Sequence, residues 1–294
     1  MRLQRSRTVT TSFNAAPTTM DEVGCEIKLL KPGTKHPPLI CVHTGNFAAM
    51  AACMSIDRPI YGLTARDFER ADPNLTIETV AVIYLAAVAK VQRTGPFLLF
   101  GYSFGGLIAY EMAGILVQRG EAIGLLALFD APHPKFREQL TPAELEVVRK
   151  TYLADRKKKY LDNLREGRFN LLIGDASRFV SGKLKPVAWK AQKALRRALN
   201  LRRATVSESL RTEAMWHAYS PKPFPGKLVL FRAEGREAEF AEDPTMGWRK
   251  AVAGGVDVQF ASGIHEEMMD MPHAQRLARQ VSPYIDTAAV PRAG

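Results

Sequence analysis

A chain of 294 residues with 46% hydrophobic and 24% charged residues suits one large globular domain, or a domain with an insertion, around a substantial core. No apolar run approaches the ~20 residues of a membrane-spanning helix, and the basic start Met1-Arg2-Leu3-Gln4-Arg5 lacks the apolar stretch of a secretory signal. The net charge of +11 argues for nucleic acid only until it is located: residues 131–205 hold 19 Lys+Arg against 7 Asp+Glu, so one segment carries the whole excess.

Residues 1–23, rich in Arg, Ser and Thr, read as a flexible tail, and the folded domain is expected over 24–290. Cys25, Cys41 and Cys53 stand at no metal-ligand spacing. They fit packing roles in a reducing compartment, and the expected location is the cytoplasm.

Cys25 to Leu30 alternates like an edge strand and stops at Pro32-Gly33. Pro38 to His43 is an apolar run of the kind buried on both faces, and it leads into a loop, Thr44-Gly45-Asn46-Phe47, before a short Ala/Met-rich helix. Pro59 to Leu63 is a third strand, and Thr76 caps a helix from Ile77 to Gln92. The strand beginning at Phe97 ends abruptly in Gly101-Tyr102-Ser103-Phe104-Gly105, after which a helical pattern starts at once. Gly120 closes that helix, and the buried-type strand Ile123 to Phe129 delivers Asp130 at its end. Strand and helix in regular alternation predict a mostly parallel sheet flanked by helices.

The alternation lapses over about 131–220, which is expected to be an inserted helical lid. Thr141-Pro142-Ala143-Glu144 opens a helix there with a capping box. Lys157, Lys158, Lys159, Lys190, Lys193 and Arg197 follow, with aromatic residues among them. Basic residues interleaved with aromatics can grip single-stranded nucleic acid, but an insertion into an α/β alternation fits a lid better. Another helix is expected over Glu208 to Tyr219. Strands Lys227 to Phe231 and Val256 to Phe260 resume the sheet, and the loop Gly263-Ile264-His265-Glu266-Glu267-Met268 precedes a final helix from Ala274 to Tyr284.

G-x-S-x-G between a buried strand and a helix is the nucleophile elbow of the α/β-hydrolase fold, with Ser103 as the nucleophile. A serine hydroxyl needs a base. His265, in the loop after the last strand, holds the base's place in the order Ser, Asp/Glu, His; His36, His43, His133, His217 and His273 do not. Asp130 is favoured as the orienting acid, with Glu234, Glu237 and Asp243 after the following strand as rivals. The oxyanion donors are expected to be the backbone N–H of Phe104 and that of Gly45 or Asn46.

These motifs resemble those of the thioesterase domains that release products from nonribosomal peptide and polyketide synthases. The resemblance runs from about Cys25 to Tyr284 and is carried by Thr94-Gly95-Pro96-Phe97 through Gly106, by Tyr219 to Gly226, by Asp243-Pro244-Thr245-Met246-Gly247-Trp248 and by Gly263 to Met268. It places the family's nucleophile, acid and base on Ser103, Asp130 and His265. Where many relatives read His-Pro-x-Gly-Gly, this chain reads His43-Thr44-Gly45-Asn46-Phe47. The resemblance implies a substrate held as a thioester on the phosphopantetheine arm of a carrier protein; no D-S-L-type attachment serine is visible in the sequence, so the carrier is expected in trans, and no bound cofactor, metal or membrane is expected. The six lid cations are then candidates for docking the carrier. Two other functions fit less of the chain: a carboxylesterase or lipase-like hydrolase of free small esters, and a non-catalytic binding module with a basic insert.

Overall fold

The computed structural model describes residues 24–65, 75–148, 150, 154, 212–236, 240 and 242–288. The tail 1–23, Glu237 and the lid cations Lys157, Lys158, Lys159, Lys190, Lys193 and Arg197 lie outside the described residues. The described chain runs through strands β1 (Cys25–Lys31), β2 (Leu39–Val42), β3 (Ile60–Ala65), β4 (Phe97–Tyr102), β5 (Ile123–Phe129), β6 (Leu228–Ala233) and β7 (Val256–Ala261). Helices α1 (Thr44–Cys53), α2 (Ile77–Val88) and α3 (Phe104–Gln118) alternate with the early strands, and a C-terminal helix covers His273–Ala288. Residues 142–148 and 212–218 are also helical. No described helix is long and apolar enough to cross a membrane.

The seven strands form one sheet in the order β1-β3-β2-β4-β5-β6-β7, with β1 antiparallel to β3 and every other neighbouring pair parallel. This is the α/β-hydrolase arrangement expected from the alternation of elements. The chain leaves β2 for β3 on one side and returns to β4 on the other. A sheet opens a crevice beyond its carboxyl ends at such a reversal, and ligands bind there.

Period-2 alternation decides what each strand residue touches. Leu98, Phe100 and the partly buried Tyr102 face α1 and the C-terminal helix, in a core shared with Phe47, Met50, Leu277, Val281 and Ile285. Phe97 and Leu99 face α2 and α3, among Val80, Tyr84, Leu107 and Met112. Apolar residues on both faces explain why β2 and β4 read as continuous hydrophobic runs.

Several local expectations hold. Thr76 Oγ1 accepts the Thr79 N–H at 3.2 Å. Thr141 and Glu144 form the reciprocal capping box, with Thr141 N–H to Glu144 Oε2 at 2.6 Å and Glu144 N–H to Thr141 Oγ1 at 3.3 Å. Gly120 ends α3 at φ +80°, a left-handed conformation that favours glycine. Other boundaries move. Residues 44–47 are not a loop: α1 begins at Thr44, because His43 at φ 71° makes the whole turn from strand to helix. Helix α3 starts at Phe104, directly after Ser103. α2 ends at Val88, before the expected Gln92, and the C-terminal helix runs on to Ala288 through Pro283.

The chain returning from the insertion is tied to α3 by buried polar contacts. Tyr219, 2% exposed, donates its hydroxyl to Glu111 Oε2 at 2.7 Å. Burial first, and then the Glu111 charge, raises the Tyr219 phenol far above its usual range, which keeps it a donor. Tyr219→Phe should lower stability by about 1–3 kcal/mol, because it strands a buried carboxyl oxygen while removing almost no apolar contact. Chemical denaturation checks this; an unchanged midpoint would mean that water replaces the hydroxyl.

Candidate active site

The elbow depends on close approach. A Cβ on Gly101 would lie 2.4 Å from the Gly105 carbonyl oxygen and 2.6 Å from Gly106 Cα, and one on Gly106 would lie 2.4 Å from Ala131 Cβ. Strand, turn and helix pack more tightly there than side chains allow. The contact at Gly105 is looser, 3.1 Å to the Val42 carbonyl oxygen, so Gly106 constrains the elbow more than its place outside G-x-S-x-G indicates.

Ser103 sits at φ 51° and ψ −123°, a conformation that costs a non-glycine residue about 1–3 kcal/mol. Two backbone bonds hold it: its N–H donates to the Phe129 carbonyl at 2.9 Å, and its own carbonyl accepts the Gly106 N–H at 2.9 Å. The first bond ties Ser103 to the residue just before Asp130.

Phe104 opens α3, so its N–H belongs to the first turn, whose donors have no partner within the helix. Gly45 and Asn46 lie in the first turn of α1. β2 and β4 pair in parallel with Val42 opposite Gly101, so the two helices start side by side at the switch point. The Asn46 N–H donates to the His43 carbonyl at 3.3 Å, a contact within its own turn that competes with any outward role. His43 stacks on Phe104 with ring centroids 6.1 Å apart, and burial pushes its imidazole down to about 4. It is neutral at pH 7 and acts as packing behind the helix starts.

Asp130 is fully buried at φ 45°. Its N–H donates to the Phe231 carbonyl at 2.7 Å, its Oδ1 accepts the Ala233 N–H at 3.1 Å, and its Oδ2 lies 2.5 Å from His265 Nδ1. The segment after it is braced by the Asp243–Trp248 turn. Trp248 Nε1–H donates to the Ala131 carbonyl at 2.7 Å, and the His133 N–H donates to the Met246 carbonyl at 2.9 Å. His133 packs edge-on against Trp248, and burial pushes its imidazole down to about 4. The Asp243 carboxylate is taken up by its own turn, accepting the Thr245 N–H at 3.0 Å, the Thr245 hydroxyl at 2.6 Å and the Gly247 N–H at 3.0 Å. Glu234 is exposed at the start of a 3-10 turn. Of the acids considered from the sequence, the described contacts bring Asp130 to His265.

His265 reaches the site on a loop tied to its surroundings by the Gly235 N–H to the Gly263 carbonyl at 3.1 Å and by the Met268 N–H to the Ile264 carbonyl at 3.0 Å. His273, at the start of the C-terminal helix, meets Ser262 Oγ at 3.0 Å and packs against Gly263. His36 and His217 are exposed elsewhere. Tyr102, which the sequence presents only as the variable residue before the serine, lies with its ring stacked on His265. The available signal was its parity in β4, on the face that the last loop and helix cover.

The profile of the thioesterase domain family covers residues 37–285. The chain is 30% identical over 275 residues to malpinin synthetase of Mortierella alpina, covering 91% of this chain and 3% of that protein. It is 35% identical over 108 residues to the dimodular nonribosomal peptide synthase of Bacillus subtilis, covering 35% of this chain and 4% of that protein. The chain thus spans a small fraction of these multidomain relatives. Among solved structures, the NocB thioesterase domain in covalent complex with a fluorophosphonate nocardicin G analogue superposes with a TM-score of 0.57 at 20% identity, covering 89% of this chain and 99% of that one. A four-domain nonribosomal peptide synthetase superposes with a TM-score of 0.58 at 22% identity, covering 87% of this chain and 20% of that one. With the profile spanning most of its length, the chain belongs to the thioesterase domain family.

Proposed function

We propose that this chain is a serine thioesterase that frees an acyl or peptidyl group from the phosphopantetheine arm of a separate carrier protein. The observation that carries the proposal is the Asp130–His265 pair, 2.5 Å apart, beside the Ser103 elbow. Ser103 Oγ attacks the thioester carbonyl while His265 Nε2 takes its proton, and Asp130 holds Nδ1 and favours the imidazolium that forms. The N–H groups of Phe104 and Gly45 receive the charge on the carbonyl oxygen. The C–S bond breaks, the sulfur leaves with the proton from Nε2, and an acyl-Ser103 ester remains. Water, or a nucleophile within the acyl chain, then attacks that ester with His265 again as base. The chemistry uses only groups of this chain, and the free thiols at Cys25, Cys41 and Cys53 suit a reducing cytoplasm.

Docking follows from charge. Carrier proteins are typically acidic around the pantetheine serine, and residues 131–205 hold 19 Lys+Arg against 7 Asp+Glu. Opposite fields raise association rates and fade with salt, the screening length falling from about 8 Å at physiological ionic strength to about 3 Å at 1 M. The test pairs intact-mass analysis with charge reversal. Incubation with a panel of acyl-carrier proteins should add an acyl mass to the enzyme. Reversing Lys157, Lys158 and Lys159, or Lys190, Lys193 and Arg197, to glutamate should lower kcat/KM for carrier-bound substrate but hardly change it for a small pantetheine thioester. Turnover of nitrophenyl esters with none on any thioester would identify an ester hydrolase instead.

A further inference from the structure

We infer that Tyr102 is a positioning residue for His265, holding the base by its ring face and by its backbone together. This rests on the reading of His265 as the base. Tyr102 is the last residue of β4 and adjoins the nucleophile. Alternation puts its ring on the side of Leu98 and Phe100, away from α3 and toward the loop that carries His265. There the two rings stack, with centroids 5.0 Å apart and planes 24° from parallel. The Tyr102 hydroxyl also donates to the backbone carbonyl of His265, across 163 residues of sequence.

The geometry supplies what Asp130 alone does not. One contact at Nδ1 fixes a point on the imidazole but leaves the ring free to swing about it, which would carry Nε2 away from Ser103 Oγ. An aromatic face parallel to the imidazole restricts that swing. The bond to the carbonyl restrains the main chain from which the ring hangs; the loop's other described backbone ties, at Gly263, Ile264 and Glu267, use other carbonyls. The ring has a second effect during the reaction. When His265 takes the serine proton it becomes a cation, and the face of an aromatic ring attracts a cation. The attraction appears at the step in which Ser103 is activated, and the restraint holds Nε2 in place for that step, so both bear on kcat more than on KM.

The test measures the rate at which a fluorophosphonate phosphonylates Ser103, which needs an activated serine but no carrier and no lid. His265→Ala should abolish rapid labelling; wild-type labelling in that variant would overturn the base assignment itself. Given a slow His265→Ala, the Tyr102 variants address the present inference. Tyr102→Phe keeps the stack and loses the bond, and should label about threefold more slowly, the scale of one neutral hydrogen bond. Tyr102→Leu loses both and should be slower by about thirtyfold, adding one aromatic or cation–π contact. KM for a small pantetheine thioester should stay near the wild-type value in both. A role in packing alone would lower the melting temperature while folded molecules labelled at the wild-type rate, and that outcome overturns the proposal. Should Tyr102→Leu fail to fold, Tyr102→Phe decides alone, a wild-type rate again overturning it.

Discussion

Ser103→Ala should lose turnover and the acyl mass together while its melting temperature hardly moves. The hydroxyl is the proposed nucleophile, and the backbone bonds at position 103, to Phe129 and from Gly106, do not involve the side chain. Alanine has the same Cβ as serine and bears the same strain at φ 51° and ψ −123°. Ser103→Gly separates the two properties. Glycine adopts positive φ without a Cβ penalty, so the strain of about 1–3 kcal/mol is relieved, against about 0.5–1 kcal/mol of extra backbone entropy lost on folding. That variant should be inactive and at least as stable as the wild type, as expected where a protein stores strain at its working residue. Intact mass after incubation with an acyl-carrier protein, beside a denaturation curve, reads both. An acyl adduct on Ser103→Ala would put the nucleophile elsewhere.

The positions of Ser103 and His265 were legible because each follows a strand that announces itself. Apolar runs such as Phe97 to Phe100 and Ile123 to Phe129 read as buried parallel strands, and parallel strands present their carboxyl ends, with the residues after them, at one edge of the sheet. Three features were less legible, each for a physical reason. The direct turn from β2 into α1 depends on His43 taking φ 71°, a conformation that a histidine adopts only occasionally and that its place in the sequence does not announce. The contact between Tyr102 and His265 spans 163 residues, and no local pattern encodes a pair so far apart. The choice among acids turned on which carboxylate was already occupied. Asp130 directly follows β5, whereas Asp243 lies well beyond the end of β6; Asp243 accepts three donors of its own turn, and an Asp130 oxygen lies against His265 Nδ1.

Asp130→Asn is the sharpest test of that choice. Asparagine is among the residues best tolerated at positive φ, so the backbone at φ 45° should be kept. Two of the carboxylate's neighbours, the Ala233 N–H and His265 Nδ1, then meet one oxygen and one NH2. The Ala233 N–H, at 3.1 Å from Oδ1, is a fixed donor and claims the amide oxygen. The NH2 is left facing His265 Nδ1, where the carboxylate oxygen had been 2.5 Å away. A donor there forces Nδ1 to become the acceptor and moves the ring proton to Nε2, and a protonated Nε2 cannot take the proton of Ser103. Flipping the amide restores the tautomer only by setting its NH2 against the Ala233 N–H, two donors face to face in a buried site. Turnover should therefore fall by as much as ~10⁴, the loss seen when the analogous aspartate of a serine protease triad becomes asparagine. Folding, followed by thermal denaturation, should change far less. Glu234→Gln is the control: an exposed side chain with no such role should leave the rate near that of the wild type. Near-normal turnover in Asp130→Asn with a collapse in Glu234→Gln would move the acid to the end of β6, and with it the assignment of every residue that orients His265.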